Sequence, residues 1–298
     1  MDGRGVTVNE FRARRLATLG LDPAEVGRIV ELALAEDLGP RRQDVTSEAT
    51  IPAGQRDVAE VVARADGVVA GLDVAAAVFE AVDAELVVEL SADDGAHVSR
   101  GDVLAVVSGP TRALLTAERT ALNLLCRMSG VATHTSAWTR ELAGSKAQVL
   151  DTRKTTPGLR SLEKYAVRAG GGANKRMGLY DEAMIKDNHK LAAGGVAAAF
   201  RRIREASPGV TIQVEVTTLD EALEAVEAGA DFLLCDNMAP PLLSRIVAAV
   251  GDRAQLEATG NLTLNTAAAY AATGVDYLSV GALTHSSPIL DIALDLRS

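Results

Sequence analysis

The stretch at residues 211–281, TIQVEVTTLDEALEAVEAGADFLLCDNMAPPLLSRIVAAVGDRAQLEATGNLTLNTAAAYAATGVDYLSVG, decides the architecture. Four short aliphatic runs, TIQVEV (211–216), DFLLCD (231–236), AQLEAT (254–259) and DYLSVG (276–281), recur about every 20 to 23 residues. Segments with apolar residues at helical spacing, such as LDEALEAVEAGA and PPLLSRIVAAV, lie between them. Strand, loop and helix repeated in this way form the unit of a parallel sheet, because parallel neighbours need a crossover to connect them. Two more strands precede the repeat, AQVLD (147–151) and AMIKD (183–187). A doubly wound sheet would favour a Gly-rich fingerprint straight after its first strand; none stands there, so the pattern predicts an α/β barrel.

Each of these strands ends in polar or backbone-exposing residues: Asp151-Thr152-Arg153-Lys154, Lys186-Asp187-Asn188-His189, Glu215, Asp236-Asn237, Glu257 followed by Thr259-Gly260-Asn261, and Gly281. Any one of them alone reads equally well as a loop ion pair or a helix cap. Together they fall on the carboxyl rim of one parallel sheet, where unpaired charge beside a barrel core costs on the order of several kcal/mol unless a ligand or partner compensates it. The rim is the expected active site.

Charge sharpens this reading. The chain carries a formal net charge of -10, yet residues 149–190 gather Arg153, Lys154, Arg160, Lys164, Arg168, Lys175, Arg176, Lys186 and Lys190 against Asp151, Glu163, Asp181, Glu182 and Asp187. Lys164, Arg168 and Lys190 read as solvated helix faces. Arg153, Lys154 and Lys186 stand where apolar runs end and read as site residues. Arg153, Lys154, Lys175, Arg176 and Lys186 can fork around carboxylates and a pyrophosphate. Glu215 and Asp236 suit sugar hydroxyls or a hydrated Mg²⁺. Thr259, Gly260, Asn261 and Gly281 lie where the last loops of such barrels bind a terminal phosphate. The set describes a site for a phosphorylated sugar and an acidic co-substrate.

Working back toward the N-terminus, residues 111–142 show helical periodicity on both sides of Gly130 and read as two linking helices. Residues 57–107 hold short β-branched runs (VAEVVAR, GVVAG, ELVVEL, VLAVVSG) and one helical interval near 74–82, a small α+β unit. Asp22-Pro23 reads as an N-cap and first helical residue of a helix through Leu38, which Gly39-Pro40 stops. The first 20 or so residues read as a frayed or subunit-contacting arm.

Composition excludes several classes. With 3% aromatics and a pI near 5.0, the chain offers neither stacking platforms nor a broad basic face for nucleic acid. No apolar run approaches the roughly 20 residues of a membrane span, and the first residues lack the apolar stretch of a signal peptide. Cys126 and Cys235 are too few for a zinc site or a disulfide framework and read as small core residues of a cytoplasmic protein.

The motifs quoted above, with AEDLG followed by DVTS near Asp44, LLTAERTALNLLCRMSGVAT, DTRKTTPGLRSLEKYAVRAGGG, NKRMGLYDEAMIKDNH, LLCDNM, EATGN and SVGALTHS, resemble the quinolinate phosphoribosyltransferase family, from about Val26 to Ala293. The resemblance implies an N-terminal α+β open-faced sandwich domain with a linking helix at 1–130, an incomplete parallel α/β barrel at 131–285, and a C-terminal segment at 286–298 returning to the first domain. It implies phosphoribosyl transfer to quinolinate with decarboxylation in NAD biosynthesis, using Mg²⁺. It also implies a homodimer, or a higher assembly of dimers, with shared sites. Arg119, Arg153, Lys154, Arg176 and Lys186 would then hold the quinolinate carboxylates and part of the pyrophosphate, with Arg119 reaching into the partner's site. Glu215 and Asp236 would serve the ribose and, indirectly, the metal; Thr259, Gly260 and Gly281 would take the 5-phosphate. The family commonly has His where this chain has Lys175, which keeps the positive character.

Two readings from other classes stay open on residues alone. Lys186 at a strand end would suit a Schiff-base aldolase, although the crowd of Arg charges exceeds what one sugar phosphate needs. A silent sensor of anions would gain nothing from Glu215 and Asp236 facing its ligand.

Overall fold

The computed structural model describes residues 8–297, and the chain divides into two compact units. One unit comprises the described residues through His134, Thr156–Gly171 and the residues from Ser287 onward; the other comprises Thr135–Thr155 and Gly172–Ser286. The helix Arg160–Ala169 belongs to the first unit.

Strands are numbered in chain order. In the first unit, β1 (Arg56–Ala63), β2 (Gly67–Val68), β3 (Val87–Leu90), β4 (His97–Val98) and β5 (Val103–Pro110) come from the β-branched region expected to be extended. The second unit supplies β6 (Gln148–Leu150), β7 (Glu182–Ile185), β8 (Thr211–Val216), β9 (Phe232–Asp236), β10 (Gln255–Thr259) and β11 (Tyr277–Ser279). The last strand, β12 (Ile292–Leu296), pairs antiparallel with β1, giving a four-stranded antiparallel sheet of order β12-β1-β5-β3. The helix Leu72–Val82 packs against the helices Glu10–Thr18 and Pro23–Leu38. Its first turn is capped from a distance: Asp94 accepts the backbone N–H groups of Gly71 and Leu72 and the hydroxyl of Tyr165. Burial raises the Asp94 carboxyl above its ordinary range, against these hydrogen bonds.

In the second unit all six expected strands form, and every pairing is parallel in the order β6-β11-β10-β9-β8-β7. The sheet ends at β6 and β7 without those two pairing, an incomplete barrel. Its strands carry Val, Ile, Leu and Ala with almost no exposure, as buried parallel strands require.

Three expectations need correction. Residues 111–142 do not form two helices: Thr111–Glu141 is one helix, and Gly130 lies inside it. A Cβ built on Gly130 would sit 2.1 Å from the carbonyl oxygen of Pro288, so the glycine serves a close backbone approach, not a break. The N-terminal arm is not frayed over its described part. Asn9 caps a helix at Glu10–Thr18, and the buried Arg12 guanidinium pairs with Asp73 and, at 2.8 Å, with Glu80; residues 1–7 lie outside the described residues. Lys164 and Lys190 are not solvated, being 1% and 8% exposed. Lys190 pairs with Asp187 at 2.7 Å and Glu221 at 3.2 Å. Burial opposes its charge, but these partners outweigh it and raise its pKa. Arg168 does stay exposed, stacked over Tyr165 and donating to the carbonyl of Leu19.

Gly130→Ala decides between the two roles of that glycine. Helix propensity alone would stabilise the variant by about 1 kcal/mol, whereas overpacking costs roughly 1–3 kcal/mol. With the new methyl so close to a carbonyl oxygen, the melting temperature should fall; a rise would return Gly130 to the role of a mere helix weakener.

Candidate active site

Parallel register lines up the carboxyl ends of the strands. Leu150, Ser279, Thr259 and Asp236 form one row across β6, β11, β10 and β9, and one row deeper Glu215, Leu234, Glu257 and Tyr277 lie side by side. Two cavities open at this rim. One, of about 360 Å³, is walled by Arg153, Lys154, Lys175, Arg176 and Lys186 and by the carboxylates of Glu215, Asp236 and Glu257. The other, of about 410 Å³, is walled by Thr259, Gly260, Asn261, Gly281 and His285. Thr152, Lys154, Asp236, Thr259 and Ser279 belong to both linings, so the two are neighbouring halves of one site.

The strand-end sequences explain these positions. After β6 the chain turns at Thr152, whose hydroxyl accepts the backbone N–H of Lys154, and the carbonyl of Lys154 accepts the hydroxyl of Thr284. Asp151, fully buried at the end of the same run, accepts the Asn174 side-chain amide at 2.5 Å and the backbone N–H of Lys175 at 2.9 Å. That clamp brings the Lys175-Arg176 segment beside Arg153-Lys154. Burial, and then the charge of Arg153, lowers the pKa of the Arg176 guanidinium. Its Nη1 donates to the carbonyl of Glu182 at 3.0 Å.

The acidic side is equally ordered. Lys186, the residue before the helix Asp187–Ala193, reaches Glu215 Oε2 at 3.1 Å. Lys190 Nζ donates to the backbone carbonyl of Glu215. Asp236 accepts the Asn237 side-chain amide at 2.9 Å. Asn237 and Asn261 both adopt left-handed backbone (φ 52 and 50), as does Gly260 between them in space (φ 97). A Cβ on Gly260 would meet Asn237 Oδ1 at 2.2 Å, so only glycine fits this loop. At Gly281, a Cβ would come within 3.2 Å of Lys154 Cδ and of His285 Nε2, so its lack of a side chain gives those groups room.

All the sequence-designated site residues but one thus line the two cavities: Thr152, Arg153, Lys154, Lys175, Arg176, Lys186, Glu215, Asp236, Thr259, Gly260, Asn261 and Gly281. Arg119 is the exception. It lies on the helix Thr111–Glu141, its side chain 64% exposed and 3.7 Å from Glu118, and it belongs to neither lining. Lys175 is only 7% exposed at its side chain and pairs with Glu257 at 2.6 Å. The sequence pattern places Glu257 at the rim without a role, and does not single out Gln213, Ser279 or His285. Glu257 and His285 carried a usable signal, the first being a charged residue inside an aliphatic strand and the second following Gly281 by four residues. Gln213 and Ser279 had none.

Five cations against three carboxylates leave the 360 Å³ rim cavity two positive charges in excess, beside a turn-lined cavity with backbone groups available. Fold and lining together define a barrel enzyme site for phosphorylated, polyanionic substrates. The comparisons with known proteins narrow this class. The quinolinate phosphoribosyl transferase C-terminal domain model matches residues 131–295, and the N-terminal domain model matches residues 44–129. A nicotinate-nucleotide pyrophosphorylase [carboxylating] of Mycobacterium leprae is 48% identical over 274 residues, covering 90% of this chain and 95% of that protein. The probable counterpart in Bacillus subtilis is 43% identical over 262 residues, covering 88% and 90%. The solved nicotinate-nucleotide pyrophosphorylase of Francisella tularensis superposes with a TM-score of 0.89 at 35% identity, over 92% of this chain and 96% of that one. The chain belongs to the quinolinate phosphoribosyltransferase family.

Cys235 reports on the interior of this site. Burial first, and then the charge of Glu257, pushes its thiol up to about 12. Only the thiolate alkylates, so native protein treated with iodoacetamide at about pH 8 should keep Cys235 unmodified, and its labelling should appear only as the pH approaches that value. Labelling at the rate of a free thiol at about pH 8 would contradict the burial described.

Proposed function

We propose that this chain transfers the phosphoribosyl group of phosphoribosyl pyrophosphate to quinolinate with decarboxylation, giving nicotinate mononucleotide, pyrophosphate and CO₂ for NAD biosynthesis. One observation carries the reading: a cavity with two excess positive charges, fit for a dicarboxylate, shares a wall with a Gly/Asn-turn cavity fit for a sugar phosphate. The reaction needs both kinds of site side by side.

The chemistry follows from the lining. Arg153, Arg176 and Lys175 face the carboxylates of the pyridine acid and hold its ring nitrogen toward the sugar. The nitrogen lone pair forms the bond to the anomeric carbon as the bond to pyrophosphate breaks, and the electron pair leaves with pyrophosphate. Glu215 and Asp236 favour the positive charge that develops on that carbon, while Lys154 and Lys186 face the departing anion. The product is a pyridinium whose positive nitrogen stabilises the electron pair left behind when the adjacent carboxylate departs as CO₂. A lysine of the cavity wall, Lys154 or Lys186, supplies from its ammonium the proton that this carbon takes up. Thr259, Gly260, Asn261 and Gly281 hold the 5-phosphate.

Glu215 and Asp236 also suit Mg²⁺ held indirectly. They end neighbouring strands and line one cavity, and their hard oxygens match a cation that keeps water and phosphate ligands. Among the described residues no group of three or more His, Cys, Asp or Glu side chains could hold a metal alone, which favours a metal that enters with the pyrophosphate. When bound there, Mg²⁺ neutralises charge on the leaving group. Two buried free thiols, Cys126 and Cys235, suit a reducing cytoplasm. Exposed Arg119 suits a homodimer in which it completes the partner's site.

The direct test incubates the protein with quinolinate, phosphoribosyl pyrophosphate and Mg²⁺; nicotinate mononucleotide and CO₂ should form in equal amounts, and their absence would reject the assignment. Glu215→Gln and Asp236→Asn should each lower kcat by roughly a hundredfold or more while changing the quinolinate KM by less than about threefold, because their stabilisation grows in the transition state. Unchanged kcat with lost quinolinate binding would exchange the roles of the two halves. Mixing inactive Arg119→Ala and Lys154→Ala chains should restore activity at some sites of the mixed dimer; mixed dimers that form without recovery would place Arg119 outside the chemistry.

A further inference from the structure

Glu257 is the carboxylate of the cavity lining that no step above employs. It stands on β10 with no exposed surface. Its Oε1 accepts Lys175 Nζ at 2.6 Å and its Oε2 accepts Gln213 Nε2 at 2.5 Å. Lys175, 7% exposed at its side chain, forms the cavity wall with it. Other titratable or charged groups around this pair include Arg176 on the same loop as Lys175, Glu182 on β7, Cys235 on β9 and Asp151, which accepts the backbone N–H of Lys175, with Arg153, Lys154, Lys186, Glu215 and Asp236 on the same cavity wall. A lysine enclosed in this way would shed its proton without a counter-charge, because burial disfavours the ammonium. An enclosed carboxylate with no cation would take one up for the same reason. Each is the other's counter-charge, and the second bond from Gln213 fixes where Glu257 holds its partner.

We infer that Glu257 is a positioning residue for the acid-binding cavity: as its counter-charge it holds Lys175 in place as a cation toward a pyridine dicarboxylate. The inference rests on the quinolinate reading above and adds a specificity device to it. With Glu257 present, the lining matches a dianion. Without it, the charge on that wall depends on pH.

The test is calorimetric titration of the full chain with quinolinate from about pH 6 to 9, for wild type, Glu257→Gln, and the double variant Lys175→Met/Glu257→Gln. Wild-type affinity should stay flat across the range. In Glu257→Gln, the enclosed Lys175 has no counter-charge, so affinity should weaken by roughly tenfold or more as the pH rises. The double variant has no titrating lysine; it should be flat and bind about tenfold more weakly than wild type throughout, the scale of one lost charged hydrogen bond. A Glu257→Gln profile parallel to wild type would overturn the inference alone. So would a double variant that binds as tightly as wild type, which keeps the test decisive even if circular dichroism shows Glu257→Gln unfolded. Wild type that binds no quinolinate at any pH would overturn the functional reading and this inference together.

Discussion

Parallel strand pairing is the constraint from which the site follows. Each strand of the six-stranded sheet runs in the same sense as its neighbours, so all six carboxyl ends meet at one rim. The strand interiors are aliphatic and nearly inaccessible, which pushes almost every ionisable group to the ends. The same register that stacks Leu234 between Glu215 and Glu257 sets Asp236 beside Thr259 and Thr259 beside Ser279. A shift of one residue in any strand would turn its charged residue toward the opposite side of the sheet.

Electrostatics then divides the rim. The chain as a whole is acidic, so it repels anions at long range, yet one cavity wall concentrates five cations. The loops that carry them are clamped: Asp151 holds Asn174 and Lys175, and Lys190 holds the backbone of Glu215 while pairing with Asp187 and Glu221. Fixed groups of this kind stabilise charge without reorganising during reaction, which is the chief contribution a protein makes to displacing a charged leaving group.

The six barrel strands were legible because each is a short aliphatic run with a polar terminus, and local sequence records both features. Nearly all the rim residues were legible for the same reason. A glycine amid helical residues locally signals a break, whereas the atom that requires Gly130 belongs to Pro288, far along the chain. Lysine amid apolar residues looks locally like a helix surface, which hides the burial of Lys164 and Lys190; Lys190's partner Glu221 lies on a different helix. The pairing of Lys175 with Glu257 spans 82 positions and depends on the loop before β7 folding over β10. What sequence recorded was composition at strand ends; what it omitted was which charges neutralise one another once the strands are side by side.

The central claim is that the rim cavity is matched to two carboxylates by its excess of two positive charges. Comparing the affinities of quinolinate and nicotinate for the wild-type chain at low and moderate ionic strength tests it most directly, since the two acids differ by one carboxylate on the same ring. The dicarboxylate should bind at least about tenfold more tightly, a difference of about 1.4 kcal/mol, and the greater part of that margin should survive added salt, because these charges are partly buried and weakly screened. Equal affinity for the two acids would contradict the charge match and leave the cationic rim without its proposed ligand.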